Sequence, residues 1–199
     1  MEENMSNTLV KAFSKEYIVD KKLAMVIGVV SFVALTIAGA YIRVPLPFTP
    51  VPFTLQTFFV LLAGAFLGKK LGFASQLTYL LVGIFYLPVF SGGLFGLARL
   101  FGPTGGYLFG FVAAAYIVGA FIGKDDQAPF AKIVMAMSLG LFAIFALGTI
   151  QLSLFVGLSL RNAFMLGVVP FILGDGIKLL AAATIYQLAQ KPARQLFSN

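Results

Sequence analysis

Long apolar runs separated by short polar clusters organise this chain. The first 22 residues, MEENMSNTLVKAFSKEYIVDKK, are polar, and apolar runs then occupy about 23–42, 53–67, 73–90, 104–123, 133–157 and 164–189. Each run is apolar around its whole helical circumference and lacks the alternation that a lipid-facing barrel strand needs. The pattern predicts an all-α integral membrane protein, a six-transmembrane-helix bundle whose second span is short.

Composition agrees. Of 199 residues, 60% are hydrophobic and 11% charged, against about half and a quarter in soluble domains. The length leaves no room for a second, soluble domain, so the expected organisation is a cytoplasmic segment at 1–22, a membrane domain at 23–190 and a cytoplasmic tail at 191–199. The N-terminus lacks a small-residue cleavage site, and no cleaved signal peptide is expected.

The net charge of +7 does not indicate nucleic acid, because the basic residues are scattered between apolar runs and not gathered with aromatics. They report orientation instead. With the N-terminus inside, the inner segments hold Lys11, Lys15, Lys21, Lys22, Lys69, Lys70, Lys124, Lys132, Lys191 and Arg194, and the outer ones only Arg43, Arg99 and Arg161. That asymmetry predicts both termini cytoplasmic. Every acid except Asp175 also falls on the inner side.

Several chemistries are missing. Cys and His are absent, which removes disulfides, thiol nucleophiles, imidazole bases and the usual zinc ligands. The Gly-Lys pairs at 68–69 and 123–124 do not belong to a phosphate-binding loop. A second carboxylate for intramembrane hydrolysis is lacking, so the chain is read as a binding or transport protein and not an enzyme.

One stretch breaks the apolar pattern. FILGDGIKLL, at 171–180, places Asp175 and Lys178 three residues apart on one helical face. Counted from Phe164, Asp175 lies about 16 Å deep, near mid-bilayer. Such a pair faces a protein interior or a wet cavity and marks a functional site; its alternative role is a structural clamp between helices. A carboxylate beside an ammonium suits a neutral group that both donates and accepts, such as a urea or amide. Arg43, Arg99 and Arg161, near the outer face, either hold an anionic tail or snorkel toward headgroups.

The outer connections are unusual as well. RVPLPFTPVPFTLQ carries Pro45, Pro47, Pro50 and Pro52 and is extended, lying over an outer opening or forming a stiff solvent loop. FSGGLFGLARLFGPTGGYLFG is glycine-rich, which serves carboxylate-binding amides or tight turns and close helix packing. Thr54, Gln56, Gln76, Thr78, Tyr79, Tyr107 and Gln151 are polar residues in or beside spans, each a ligand contact or an interhelical hydrogen bond. Small residues four apart at Ala24 and Gly28, and at Ala34 and Ala38, permit close helix approach.

Four stretches, PVPFTLQTFFVLLAGAFLG at 50–68, LPVFSGGLFG at 87–96, GPTGGYLFGF at 102–111 and GDGIKLLAA at 174–182, together resemble the BioY family. Those proteins are the biotin-specific S components of energy-coupling factor (ECF) transporters in bacteria. The resemblance implies an S-component fold in a bacterial plasma membrane, opening outward, with biotin between the outer loops and the bundle. It implies Asp175 and Lys178 as biotin contacts, the carboxylate accepting from the ureido N–H groups and the ammonium donating to the ring carbonyl, or the roles exchanged with the tail. The candidate binding set is Asp175, Lys178, Arg99, Gly93, Thr104, Tyr107 and Gln56. No cofactor is expected on this chain; biotin is the substrate, and ATP is used only by partners. Those implied partners, besides membrane lipids, are a transmembrane coupling subunit and two ATPases. Docking in the family uses small residues on the first helix, typically two alanines. Val30 stands where the first aligns, so Ala24, Gly28, Ser31, Ala34 and Ala38 are the candidates. Two other readings remain open: a self-sufficient secondary carrier using Asp175 for proton coupling, and a ligand-free structural protein.

Overall fold

The computed structural model describes residues 21–85, 87–123 and 127–197. The charges assigned above to positions before 21 and at 124–126 lie outside these residues. Helices dominate: α1 (Lys21–Tyr41), α2 (Gln56–Ile84), α3 (Gly105–Ile122), α4 (Phe130–Val156), α5 (Leu160–Gly167) and α6 (Ile172–Phe197). Between α1 and α2, β1 (Arg43–Val44) and β2 (Phe53–Thr54) pair antiparallel, Arg43 opposite Thr54 and Val44 opposite Phe53. The four intervening prolines supply no ladder donors, which keeps this hairpin to two residues a side. With an isolated bridge between Phe90 and Leu94, it makes up the β-structure of the described residues.

Five helical stretches are long and apolar enough to cross a membrane, with α5 and α6 counted together. The second of them, α2, reverses direction. Gly68 has φ 73° and ψ −179°, a conformation that glycine adopts without the Cβ penalty of other residues. A straight helix would put Gln56 and Tyr79 about 35 Å apart along its axis, yet the Gln56 amide donates to the Tyr79 hydroxyl at 2.7 Å. A Cβ on Gly72 would likewise lie 3.0 Å from Gly64 Cα. The runs predicted at 53–67 and 73–90 are therefore two arms of one helical hairpin, joined at a single residue where the sequence suggested a loop of several.

Two boundaries depart from the sequence reading. The second arm of α2 ends at Ile84, and the apolar residues Val89 and Phe90 are buried within a loop; Pro88 disfavours the helical backbone before it. The predicted 164–189 span is interrupted. α5 begins at Leu160, after Ser159, whose hydroxyl accepts from the Asn162 amide, and it stops at Gly167. A single 3-10 turn at Val169–Phe171 follows. Pro170 cannot donate back into α5, so α6 starts afresh at Ile172 and Asp175 falls in its first turn.

Two apolar cores fill the bundle. Around the interhelical loops, large side chains gather, including Val60, Tyr79, Phe90, Tyr107, Phe111 and Phe171. At the other end, near Gly68 and Gly123, Leu61, Ile122, Ile133, Met137, Ala182 and Tyr186 close together. On α1, Ala24 and Gly28 are buried, whereas Val30, Ser31, Ala34 and Ala38 are exposed.

Candidate functional site

A cavity of about 240 Å³ opens among the loops. Its walls come from distant parts of the chain: the β1–β2 hairpin, the start of α2, the 87–104 connection, the first half of α3, Ile144 and Phe145 on α4, Phe171, and Asp175 and Lys178 on α6. The hairpin is held over the bundle from both sides. The Leu55 amide is shared between Gly39 and Ile42 carbonyls at 3.2 and 3.1 Å, and the Tyr41 hydroxyl donates to the Pro88 carbonyl. Pro45, Leu46, Thr49, Pro50, Val51 and Pro52 all line the cavity, so the proline-rich stretch lies over an opening.

The charged pair sits at the base of this arrangement. Asp175 and Lys178 are 3% and 8% exposed, and their ion pair is 2.5 Å long. The position of Asp175 in the first turn of α6 adds a favourable helix dipole. Lys178 Nζ also donates to the Thr54 carbonyl at 2.6 Å and to Thr57 Oγ1 at 3.3 Å, and it stands 3.7 Å above the Phe53 ring centroid. An ammonium has three hydrogens, and here three acceptors receive them. Thr57 Oγ1 in turn donates to Asp175 Oδ1 at 2.8 Å. Oδ1 thus accepts twice, while Oδ2 has no hydrogen bond among the described residues. The cavity is left with a fixed carboxylate oxygen ready to accept, backed by an ammonium whose donors are engaged.

Its polarity is uneven. Arg43, Arg99 and Lys178 line it against Asp175 alone, a surplus of two positive charges. The remaining wall is largely apolar and aromatic, with Phe90, Tyr107, Phe111, Phe145 and Phe171. Phe171 stacks on Phe53 with 6.2 Å between centroids and 9° between planes, which fixes the ring under Lys178.

Of the seven candidate residues, Asp175, Lys178, Arg99, Thr104, Tyr107 and Gln56 share this wall. Gly93 is not on it; its amide donates to the Phe90 carbonyl at 3.0 Å and closes a turn. The amides of Gly96, Gly102 and Gly105 are likewise taken by backbone carbonyls, so the glycine-rich connection works mainly as turns. Tyr107 presents its ring, because its hydroxyl donates to the Gly167 carbonyl at 2.8 Å. Gln151 braces the Leu100 and Gly102 carbonyls, and Gln76 bonds Thr36 and Ser75; both are structural. Arg161 lies on the exposed surface of α5, away from the cavity. Thr57 and Phe53 were absent from the candidate set. A signal existed for the first: Thr54 and Thr57 flank Gln56 at three-residue spacing where α2 begins.

Comparison with known proteins decides the family. A model of the BioY family matches residues 7–195. The chain belongs to the BioY family. It is 46% identical over 154 residues to the biotin transporter BioY of Thermotoga maritima, spanning 77% of this chain and 88% of that one. It is 44% identical over 159 residues to a probable biotin transporter BioY of Pyrococcus horikoshii, spanning 80% and 91%. The crystal structure of the S-component for biotin from an ECF-type ABC transporter superposes with a TM-score of 0.81 at 27% identity, covering 87% of this chain and 94% of that one. This BioY-family chain is accordingly a multi-pass membrane protein with the fold of an ECF S component, from a family of transporters and not of enzymes.

Proposed function

We propose that this chain captures biotin and serves its uptake as the substrate-specific subunit of an ECF-type transporter in a bacterial plasma membrane. The observation that carries the reading is the unengaged Asp175 Oδ2 in a cavity with surplus positive charge. Biotin offers ureido N–H donors to the former and an anionic tail to the latter. Asp175 accepts from the ureido ring, and Arg99 attracts the tail. Lys178 reaches the ring carbonyl only by releasing one of its present acceptors, and Thr57, at 3.3 Å, is the longest contact. Gln56, Thr104 and Tyr107 shape the wall.

The same proposal includes six membrane crossings, with 1–22 and the tail from 191 on the cytoplasmic side of a 23–190 membrane domain. The reversal at Gly68 supports it, because it divides α2 into two arms and leaves Lys69 and Lys70 exposed at the turn. The partners are a transmembrane coupling subunit and two ATPases, which alone use ATP. The exposed Ser31, Ala34 and Ala38 suit close helix approach, whereas Ala24 and Gly28 are spent inside the bundle.

The test is retention of radiolabelled biotin by purified protein in nanodiscs, chased with unlabelled biotin and with riboflavin. Saturable retention displaced by biotin alone is expected. Absence of retention by folded protein overturns the reading.

A further inference from the structure

Arg43 is anchored through its backbone and has no counterion among the described residues. Its backbone pairs across the hairpin with Thr54, the residue whose carbonyl accepts from Lys178. Its guanidinium crosses to the glycine-rich connection and lies against Gly92, where a Cβ would stand 2.5 Å from Nη1 and 3.0 Å from Cζ. Gly92 also has φ 85°, a backbone conformation that disfavours a side chain at that position. The guanidinium makes no hydrogen bond or ion pair among the described residues. Asp175 is the sole acid among those residues and is already paired with Lys178.

An uncompensated guanidinium on a cavity wall is a seat for an oxyanion, and its planar fork matches a carboxylate. The neighbouring Ser91 also lines the cavity, and its buried hydroxyl has no hydrogen-bond partner among the described residues. Leaving such a hydroxyl unpaired is costly, and rotation about χ1 between staggered wells turns it toward an arriving oxygen.

We propose that Arg43, assisted by Ser91, is a specificity-determining residue that binds the carboxylate of the ligand's tail. The site so formed takes a carboxylate-tailed ligand in preference to its neutral amide or ester. Because Arg43 belongs to the hairpin and Gly92 and Ser91 to the second connection, the bound anion also clips these two loops together over the cavity. This inference rests on the proposed function and sharpens its substrate class.

The experiment compares biotin with biotinamide, which keeps the ring and neutralises the tail, on wild type, Arg43→Gln, Arg43→Lys and Ser91→Ala in nanodiscs. Arg43→Gln is expected to weaken biotin about 10- to 100-fold and biotinamide less than about 3-fold. Arg43→Lys keeps the charge but loses the fork, and falls between. Ser91→Ala weakens biotin by a few-fold, with biotinamide unchanged. Equal losses for both ligands would make Arg43 a loop brace, and no loss for either would leave it a bystander; either outcome overturns the inference. A wild type that retains neither ligand overturns the proposed function itself, whereas one that retains biotin while Arg43→Gln fails to discriminate removes this inference alone. Ser91→Ala and the wild-type preference between the two ligands provide the readout if Arg43→Gln does not fold: no acid preference in wild type overturns the proposal.

Discussion

The two ends of the bundle use the same apolar helices for opposite purposes. At the Gly68 end, small residues bring backbones together. A Cβ on Gly72 would meet Gly64 at 3.0 Å, and Ala136, Ala182 and Ala183 are fully buried among the helices. At the loop end, prolines, positive-φ glycines and large aromatics hold the elements apart around a cavity of about 240 Å³. One end keeps the helical arms in register, and the other presents a carboxylate and three cations to a ligand. The difference teaches that stability and recognition occupy separate parts of the fold, so mutations at the two ends should have different readouts.

The largest effect is expected at the pair. Lys178→Ala leaves the Asp175 carboxylate buried without its cation, a change of about 3–5 kcal/mol; biotin affinity should fall by at least about 100-fold. Asp175→Leu with Lys178→Met removes both charges. The double variant should fold, as judged by thermal unfolding in detergent, yet bind no biotin. Retained binding would make the pair a mere clamp and break the division between the two ends.

At the opposite end, Gly68→Val forces a β-branched residue to φ 73°, which costs about 1–3 kcal/mol. Its melting temperature should drop while the folded fraction keeps wild-type affinity for biotin. A loss of affinity without loss of stability would show that the ends are coupled. Thr57→Val removes the hydroxyl that links Lys178 to Asp175. About 1 kcal/mol is at stake, so affinity should weaken about 5-fold in a binding isotherm with little change in melting temperature. The smallest effect belongs to Arg161→Gln. It lies off the cavity, and biotin retention should stay within about 2-fold of wild type, the range of ordinary surface substitutions.

Much of the fold was legible because its signals are local. Apolar run length reports a membrane helix directly, and the spacing of Asp175 and Lys178 places them on one face whatever surrounds them. Glycine and proline density marked both connections that line the cavity. What stayed hidden depends on residues distant in sequence. Thr57 meets Asp175 across 118 positions and Lys178 across 121, and no pattern within α2 announces a partner on α6. Gly93 looked as suited to a ligand as its neighbours until the Phe90 carbonyl claimed its amide. Hydropathy also carried the third run through Val89 and Phe90, since a buried loop and a buried helix are equally apolar.

The sequence by itself determined that this chain lies in a membrane, that its charges sort to the ends of its helices, and that one ion pair remains among the apolar runs. These follow from the cost of burying charge and backbone polar groups in hydrocarbon, which acts on each residue where it stands. Only the tertiary structure decided that Gly68 folds one helix into two arms, that Pro170 puts Asp175 in a first turn, that all three Lys178 donors are engaged, and that Arg43 waits without a partner beside Gly92. Those outcomes depend on which side chains meet after the chain has closed on itself, and hydrogen-bond geometry is set by that meeting.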